Sequence, residues 1–176
     1  MTKEIIYIGD PMCSWCWGFA PVINLIQNDF NDKVPLSIIL GGLHAYDNFP
    51  MTSKYKSNIR RHWEDVNKAT GAVFDYSFFE RRDFILDTEP ACRAVVAIRQ
   101  LNPSLTLTFY ESISRSFYSE NKDTTTVNTF KPLVENLNVD FRKFAAKFNS
   151  TDIKEDTRSD FAFSKKIGVT GFPTVL

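Results

Sequence analysis

Hydrophobic positions at the start of the chain predict a strand, a helix and a second strand. Residues 4–9 form a short β-branched run, typical of a buried central strand. Apolar residues then recur at helical spacing along one face: Phe19, Val22, Ile23, Ile26 and Phe30. Residues 35–40 repeat the strand pattern and end at Gly41 and Gly42. This order predicts a βαβ unit over residues 1–42 with a right-handed crossover.

From residue 43 to residue 166 the hydrophobic pattern is helical. It predicts six helices. The first ends at Gly71, the second is capped by Thr88, and the third begins at Asn102 and Pro103. A shorter helix lies near Leu133, the next is capped by Asp140, and the last runs from about Thr151 to Lys166. The aromatic stretch 72–87 is expected to be a loop that packs over another part of the chain. Residues 167–176 return to extended chain, so we predict a helical domain, 43–166, inserted into a split α/β unit.

Composition limits the classes of function. The 176 residues are 43% hydrophobic and carry a formal net charge of zero, as expected of a globular domain and not of a nucleic-acid binder. The N-terminal apolar run is too short for a secretory signal, and nothing approaches the roughly 18 apolar residues of a membrane span. We therefore expect a cytoplasmic protein with reduced thiols and with neither nucleic acid nor membrane as partner.

The segment DPMCSWCW, residues 10–17, places Cys13 and Cys16 at the predicted start of the first helix. Unpaired N–H groups and the helix dipole favour negative charge there, and a thiolate is the nucleophilic form of cysteine. Cys16 lies one turn further in, within reach of a disulfide. We expect Cys13 to attack and Cys16 to resolve the mixed disulfide, with Ser14 and Trp15 tuning the pair.

A metal site is the main competing interpretation of this pair. A C-x-x-C segment is half of many zinc sites, but the sequence has no second C-x-x-C and no H-x-x-x-H. His44, His62 and Cys92 would have to converge from separate segments. Each has a simpler interpretation as a loop, surface or buried core residue, so we expect no metal.

A second motif is GVTGFPT, residues 168–174, in which Pro173 opens a predicted core strand. Proline is tolerated only where its missing N–H does no harm, and X-Pro bonds can be cis. Alone this motif is weak. Its specificity comes from its combination with the strand, C-x-x-C and helix at the other end of the chain.

Four segments together resemble the DsbA-like thioredoxin-fold family, in its cytosolic predicted protein-disulfide isomerase (FrnE-like) branch: DPMCSWCWGF (10–19), GGL (41–43), DTEPACRAV (87–95) and GVTGFPT (168–174). The resemblance implies an α/β thioredoxin-like fold with a large helical domain inserted after the first βαβ unit. It also implies that Pro173 is cis and faces the cysteines, and that the backbone at Phe172 pairs with an extended substrate. Met12 and Phe172 are candidates for substrate selection.

Two features depart from this family. Its members carry a buried acid six residues before the first cysteine, where this chain has Tyr7. Asp10 is the nearest acid, so the proton acceptor for Cys16 is left open between Asp10 and water. The family fold also continues past the proline strand, so we expect a C-terminal hairpin and helix beyond Leu176.

The leading functional prediction is thiol–disulfide exchange on protein disulfides, as an oxidoreductase or isomerase, through Cys13 and Cys16. No cofactor is expected beyond the redox-active pair, with glutathione or the thioredoxin system as candidate reductants. One alternative is a glutathione-dependent isomerase or transferase of the DsbA-like kappa type. Another is a peptide-binding holdase that needs no thiol chemistry. Substrate, direction and oligomeric state are not readable from the residues.

Overall fold

A computed structural model describes residues 3–30 and 33–176 of the chain. The chain begins with strand β1 (Ile5–Gly9), helix α1 (Ser14–Phe30) and strand β2 (Leu36–Leu40). β1 and β2 pair in parallel, with Ile5 opposite Leu36 and Gly9 opposite Leu40. The βαβ unit predicted from the hydrophobic pattern is therefore confirmed.

Helices follow β2, as the pattern predicts. They are α2 (Ser53–Thr70), α3 (Glu89–Leu101), α4 (Thr106–Tyr118), α5 (Val127–Asn136), α6 (Phe141–Asn149) and α7 (Thr151–Lys166). Gly71 ends α2 in the left-handed conformation with φ 75°, and the Asp140 carboxylate accepts hydrogen bonds from the first amides of α6. The predicted ends of these two helices and the full extent of α7 are confirmed.

Strand β3 (Thr174–Val175) brings the end of the chain back to β1. It pairs antiparallel with β1, giving the strand order β2–β1–β3. Because β1 lies in the middle, the segment after β1 that carries the cysteines is next to the segment before β3 that carries the proline. Two motifs far apart in sequence are thus placed at the same end of the sheet.

The aromatic stretch between α2 and α3 forms part of the core. It includes a 3₁₀ turn (Tyr76–Glu80), and the side chains of Phe74, Phe78 and Phe84 are buried. Several of its rings pack around Trp63 of α2, with the Phe79 centroid 4.7 Å from that of Trp63. The prediction that this loop packs over another part of the chain is confirmed, since its rings contact both α2 and α4.

An ion pair fixes the end of β2 to the helices. The Arg99 guanidinium of α3 donates to both carboxylate oxygens of Asp160 in α7, at 2.8 and 3.0 Å, and to the carbonyl of Ile38 at 2.7 Å. Asp160 also accepts from the backbone N–H of Leu40 at 3.0 Å. The residues that follow Leu40 reach the cysteines, so this pair supports the site indirectly.

Candidate active site

The two cysteines lie at the start of α1, as predicted, and both are free thiols. Cys13 directly precedes the helix. Its N–H donates to the Asp10 carbonyl at 2.9 Å, and its own carbonyl accepts from the N–H of Trp17 at 3.0 Å. Cys16 lies inside the first turn and is 1% exposed, compared with 5% for Cys13.

The segment at the end of the chain faces Cys13. The peptide bond between Phe172 and Pro173 is cis, and the Phe172 carbonyl oxygen lies 3.6 Å from the Cys13 sulfur. This distance lets the thiol donate a weak hydrogen bond to the carbonyl. The juxtaposition implied by the resemblance is therefore present in the structure.

Asp10 holds the cysteine segment to two other parts of the chain. Its fully buried carboxylate accepts from the N–H of Met12 at 2.8 Å, from the N–H of Leu43 at 2.7 Å and from the thiol of Cys92 at 3.4 Å. Burial raises the pKa of Asp10, and these hydrogen bonds oppose the rise.

The structure differs from the sequence prediction at two residues of this region, Thr88 and Cys92. Thr88 occupies the N-cap position, but its side chain makes no capping hydrogen bond; its oxygen accepts from the N–H of His44 at 3.2 Å instead. Cys92 is buried, as expected, and it also donates to Asp10. The Thr88 oxygen thus binds the loop after β2, and the Cys92 thiol binds the buried carboxylate of Asp10.

The polar surroundings of the two thiols differ. Burial raises the pKa of Cys16, but its interactions with the Cys13 thiol and with the backbone of Asp10 outweigh it, so the pKa of Cys16 is lowered. The interaction with Cys16, followed by burial, raises the pKa of Cys13. The ionisation of each thiol therefore depends on the other.

A cavity of about 450 Å³ opens at Cys13. Five of the predicted site residues line it: Met12, Cys13, Ser14, Trp15 and Phe172. Most of the remaining wall is apolar and comes from α2, α4 and the aromatic loop. Trp15 is 44% exposed at this cavity, so it covers the cysteines only in part.

Sequence reasoning missed the polar end of this cavity. His44, Asn58, Arg61 and His62 line it together with Tyr55, whose hydroxyl lies 3.1 Å from Nε2 of His44. These residues come from the loop after β2 and from one face of α2, where a polar pattern resembles any solvated helix surface. Within residues 3–30 and 33–176, no group of three or more His, Cys, Asp or Glu side chains is arranged to hold a metal ion.

A three-stranded sheet with α1 beside it, a dithiol at the start of that helix and a cis-proline segment opposite define a DsbA-like thioredoxin-fold protein. Residues 6–176 match the family described as "Thioredoxin", and the chain belongs to this family. A crystal structure of a candidate protein disulfide isomerase from Nitrosomonas europaea shares 35% identity, with a TM-score of 0.91, over 99% of this chain and 84% of that chain.

More distant proteins are also similar to this chain. The cytosolic disulfide reductase DsbM from Pseudomonas aeruginosa is 21% identical, with a TM-score of 0.78, over 98% of this chain and 83% of that one. The ClpXP adapter protein SpxH of Halalkalibacterium halodurans is 21% identical over 97% of this chain. The chain spans only 57% of the length of SpxH. In the part of the chain that the structure describes, no helix is long and apolar enough to cross a membrane.

Proposed function

We propose that this protein is a thiol–disulfide oxidoreductase that acts on protein disulfides through Cys13, with Cys16 as the resolving thiol. The observation that carries the proposal is the position of Cys13. Its thiol directly precedes α1, lies against the Phe172 carbonyl beside a cis-proline, and lines an open cavity. Cys16 is the better shielded of the two thiols.

The proposed reduction proceeds in two exchange steps. In the reactive form of the pair Cys13 is a thiolate and Cys16 keeps its proton, and the Cys13 thiolate attacks one sulfur of a substrate disulfide. A mixed disulfide forms, the substrate S–S bond breaks, and the departing substrate thiolate takes the proton from Cys16. The Cys16 thiolate then attacks the Cys13 sulfur, breaks the mixed disulfide and releases the second substrate thiolate, which is protonated by water.

The net result is transfer of two electrons from the dithiol to the substrate disulfide. The Cys13–Cys16 disulfide that remains must be reduced by another thiol before a second turnover. In a reducing cytoplasm, where we place this protein, reduction of substrate disulfides is the favoured direction. Isomerisation uses the same first step, followed by attack of a substrate thiol on the mixed disulfide.

A trapping experiment tests this assignment. Cys16→Ser is expected to accumulate a mixed disulfide with a disulfide-containing peptide, visible as an added mass that dithiothreitol removes. Cys13→Ser should accumulate none, and Cys92→Ser should behave as the wild type. An equal yield of adduct from Cys13→Ser and Cys16→Ser would overturn the assignment of roles.

The wild-type redox equilibrium is the second test. In graded glutathione buffers, Trp15 and Trp17 should report a reversible two-electron transition between about −120 and −270 mV. The lack of any such transition would contradict oxidoreductase function. Suppression of aggregation by a Cys13→Ser, Cys16→Ser double variant would favour the peptide-binding alternative.

Glutathione is the second candidate substrate, because the polar end of the cavity carries cationic and hydrogen-bonding groups that suit its carboxylates. Arg61 supplies the permanent positive charge there. The DsbM structure from Pseudomonas aeruginosa was also solved with GSH, at 20% identity to this chain. We expect Arg61→Ala to slow reduction of the Cys13–Cys16 disulfide by glutathione while its reduction by dithiothreitol, which has no carboxylate, is unchanged. Equal slowing with both reductants would contradict a glutathione site.

A further inference from the structure

A serine in the middle of α4 reaches across to the cysteine segment. Ser114 is 1% exposed, and its hydroxyl donates to the carbonyl of Pro11 at 2.8 Å. A serine inside a helix commonly bonds the carbonyl four residues earlier, but here that carbonyl, of Tyr110, lies farther away at 3.3 Å. The hydroxyl proton of Ser114 therefore joins two parts of the chain that are 103 residues apart.

The Pro11 carbonyl belongs to the turn that leads into Cys13. The N–H of Cys13 donates to the Asp10 carbonyl at 2.9 Å, which closes a β-turn with Pro11 and Met12 at its centre. The central peptide of this turn joins Pro11 to Met12. Its N–H donates to the Asp10 carboxylate at 2.8 Å, and its carbonyl accepts from Ser114. Side chains therefore hold both polar ends of this one peptide group.

Ser114 holds the end of this peptide for which the backbone supplies no donor. Pro11 is buried, and among the described residues no backbone N–H donates to its carbonyl. Without the serine hydroxyl, a buried acceptor would lose its partner, and the peptide would be held by its N–H alone. A peptide held at one end can tilt about the remaining bond. Met12, which lines the cavity, and Cys13, which lies beside the Phe172 carbonyl, would then move with it.

We propose that Ser114 is a positioning residue that sets the direction in which the Cys13 thiolate meets a substrate disulfide. This inference rests on the proposed function. Disulfide exchange needs the attacking sulfur nearly in line with the bond that it breaks, so a displacement of about 1 Å slows the reaction strongly. Ser114 acts through the turn, since its hydroxyl bonds the Pro11 carbonyl and neither cysteine.

The test compares two reactions of the same thiol in a Cys16→Ser background. One is adduct formation with a disulfide-containing peptide, which must be oriented at Cys13. The other is alkylation by iodoacetamide, a small reagent that needs little orientation. Ser114→Ala should slow adduct formation about tenfold, a part of the hundredfold loss that a full misplacement causes. Its rate of alkylation at the same pH should stay within about twofold of the parent, because that rate follows the thiolate fraction.

Ser116→Ala is the matched control. Ser116 lies on the same helix and is also 1% exposed, but its hydroxyl has no hydrogen-bond partner among the described residues. The substitution removes the same atom from α4 without breaking a bond, so both rates should match the parent. Equal rates of adduct formation for Ser114→Ala and Ser116→Ala would overturn the inference. Equal slowing of both reactions by Ser114→Ala would also overturn it, since a loss of thiolate and not of direction would then be the cause.

Cys92 reports whether each variant stays folded. It is 0% exposed, so iodoacetamide should leave it unlabelled in a native chain, and peptide mass analysis separates its label from that of Cys13. If Ser114→Ala exposes Cys92, the comparison passes to Ser114→Thr and Ser114→Val, which have nearly the same shape and differ in the hydroxyl. The threonine variant should form the adduct about tenfold faster than the valine variant, and equal rates would overturn the inference.

The same assay separates this inference from the proposed function. A Cys16→Ser parent that forms no adduct with the peptide would refute the proposed function. A parent that forms the adduct at a rate that Ser114→Ala leaves unchanged would refute only the role of Ser114.

Discussion

Gly41 leaves the space that the Phe172 ring occupies. A Cβ atom at Gly41 would lie 2.0 Å from Cζ and 2.1 Å from Cε1 of Phe172. Carbon atoms pack at about 3.5 Å or more, so the ring of a Gly41→Ala variant must retreat by about 1.5 Å. Phe172 is the residue whose carbonyl oxygen lies 3.6 Å from the Cys13 sulfur, so this displacement begins beside the reacting thiol.

We expect Gly41→Ala to lower both stability and reactivity. Overpacking of this size costs about 1–3 kcal/mol in the free energy of unfolding. A misplacement of about 1 Å near reacting groups can slow a reaction by about a hundredfold, which sets the upper limit for the rate of mixed-disulfide formation. Urea unfolding gives the first quantity, and the rate of adduct formation by a Cys16→Ser background gives the second.

Two variants make this prediction specific to the contact with the ring. Gly171→Ala adds the same methyl group next to Phe172 but meets no atom within 4 Å, so its effect should stay within about 0.5 kcal/mol. In a Phe172→Ala background the ring is gone, and Gly41→Ala should then cost almost nothing, which corresponds to a coupling energy of about 1–3 kcal/mol. An undiminished cost of Gly41→Ala in that background would refute the reasoning.

Two other predictions concern charged groups. Asp160→Ala should lower the free energy of unfolding by about 3 kcal/mol, because it removes the anionic partner of the Arg99 guanidinium and the acceptor of the Leu40 N–H. Glu64→Ala, which breaks an exposed pair, should cost about 0.5 kcal/mol in the same urea titration. Equal costs of the two substitutions would contradict this prediction. Burial raises the pKa of Asp10, so between about pH 3.8 and the folded pKa its carboxyl group is protonated in the folded state and ionised in the unfolded state. The contribution of Asp10 to the free energy of unfolding therefore falls as the pH rises through this range. Urea titrations across this range should show a smaller fall for Asp10→Asn than for the wild type, and parallel curves would contradict the assignment.

The sequence predicts the elements of this fold better than it predicts the contacts between them. Hydrophobic periodicity identifies β1, α1, β2 and the helices, since burial of one face is a local property of the pattern. The same pattern cannot say which buried group a polar side chain will meet. Thr88 has the features of a helix cap, yet its oxygen accepts a hydrogen bond from the N–H of His44 across the fold. Cys92 is similarly one apolar residue among many in α3, and only the structure places its thiol 3.4 Å from the Asp10 carboxylate.

These contacts make the inserted helical domain part of the site and not merely its cover. The βαβ unit contributes Cys13 and Cys16, but α3 supplies the Cys92 thiol to the Asp10 carboxylate, and α4 supplies the Ser114 hydroxyl to the Pro11 carbonyl. Without Asp10, the N–H groups of Met12 and Leu43 would lose their common acceptor. The shape of the cysteine segment thus depends on the insertion. Changes in α3 and α4 should therefore alter the redox equilibrium of the pair even where they leave the sheet and its cis-proline segment unchanged.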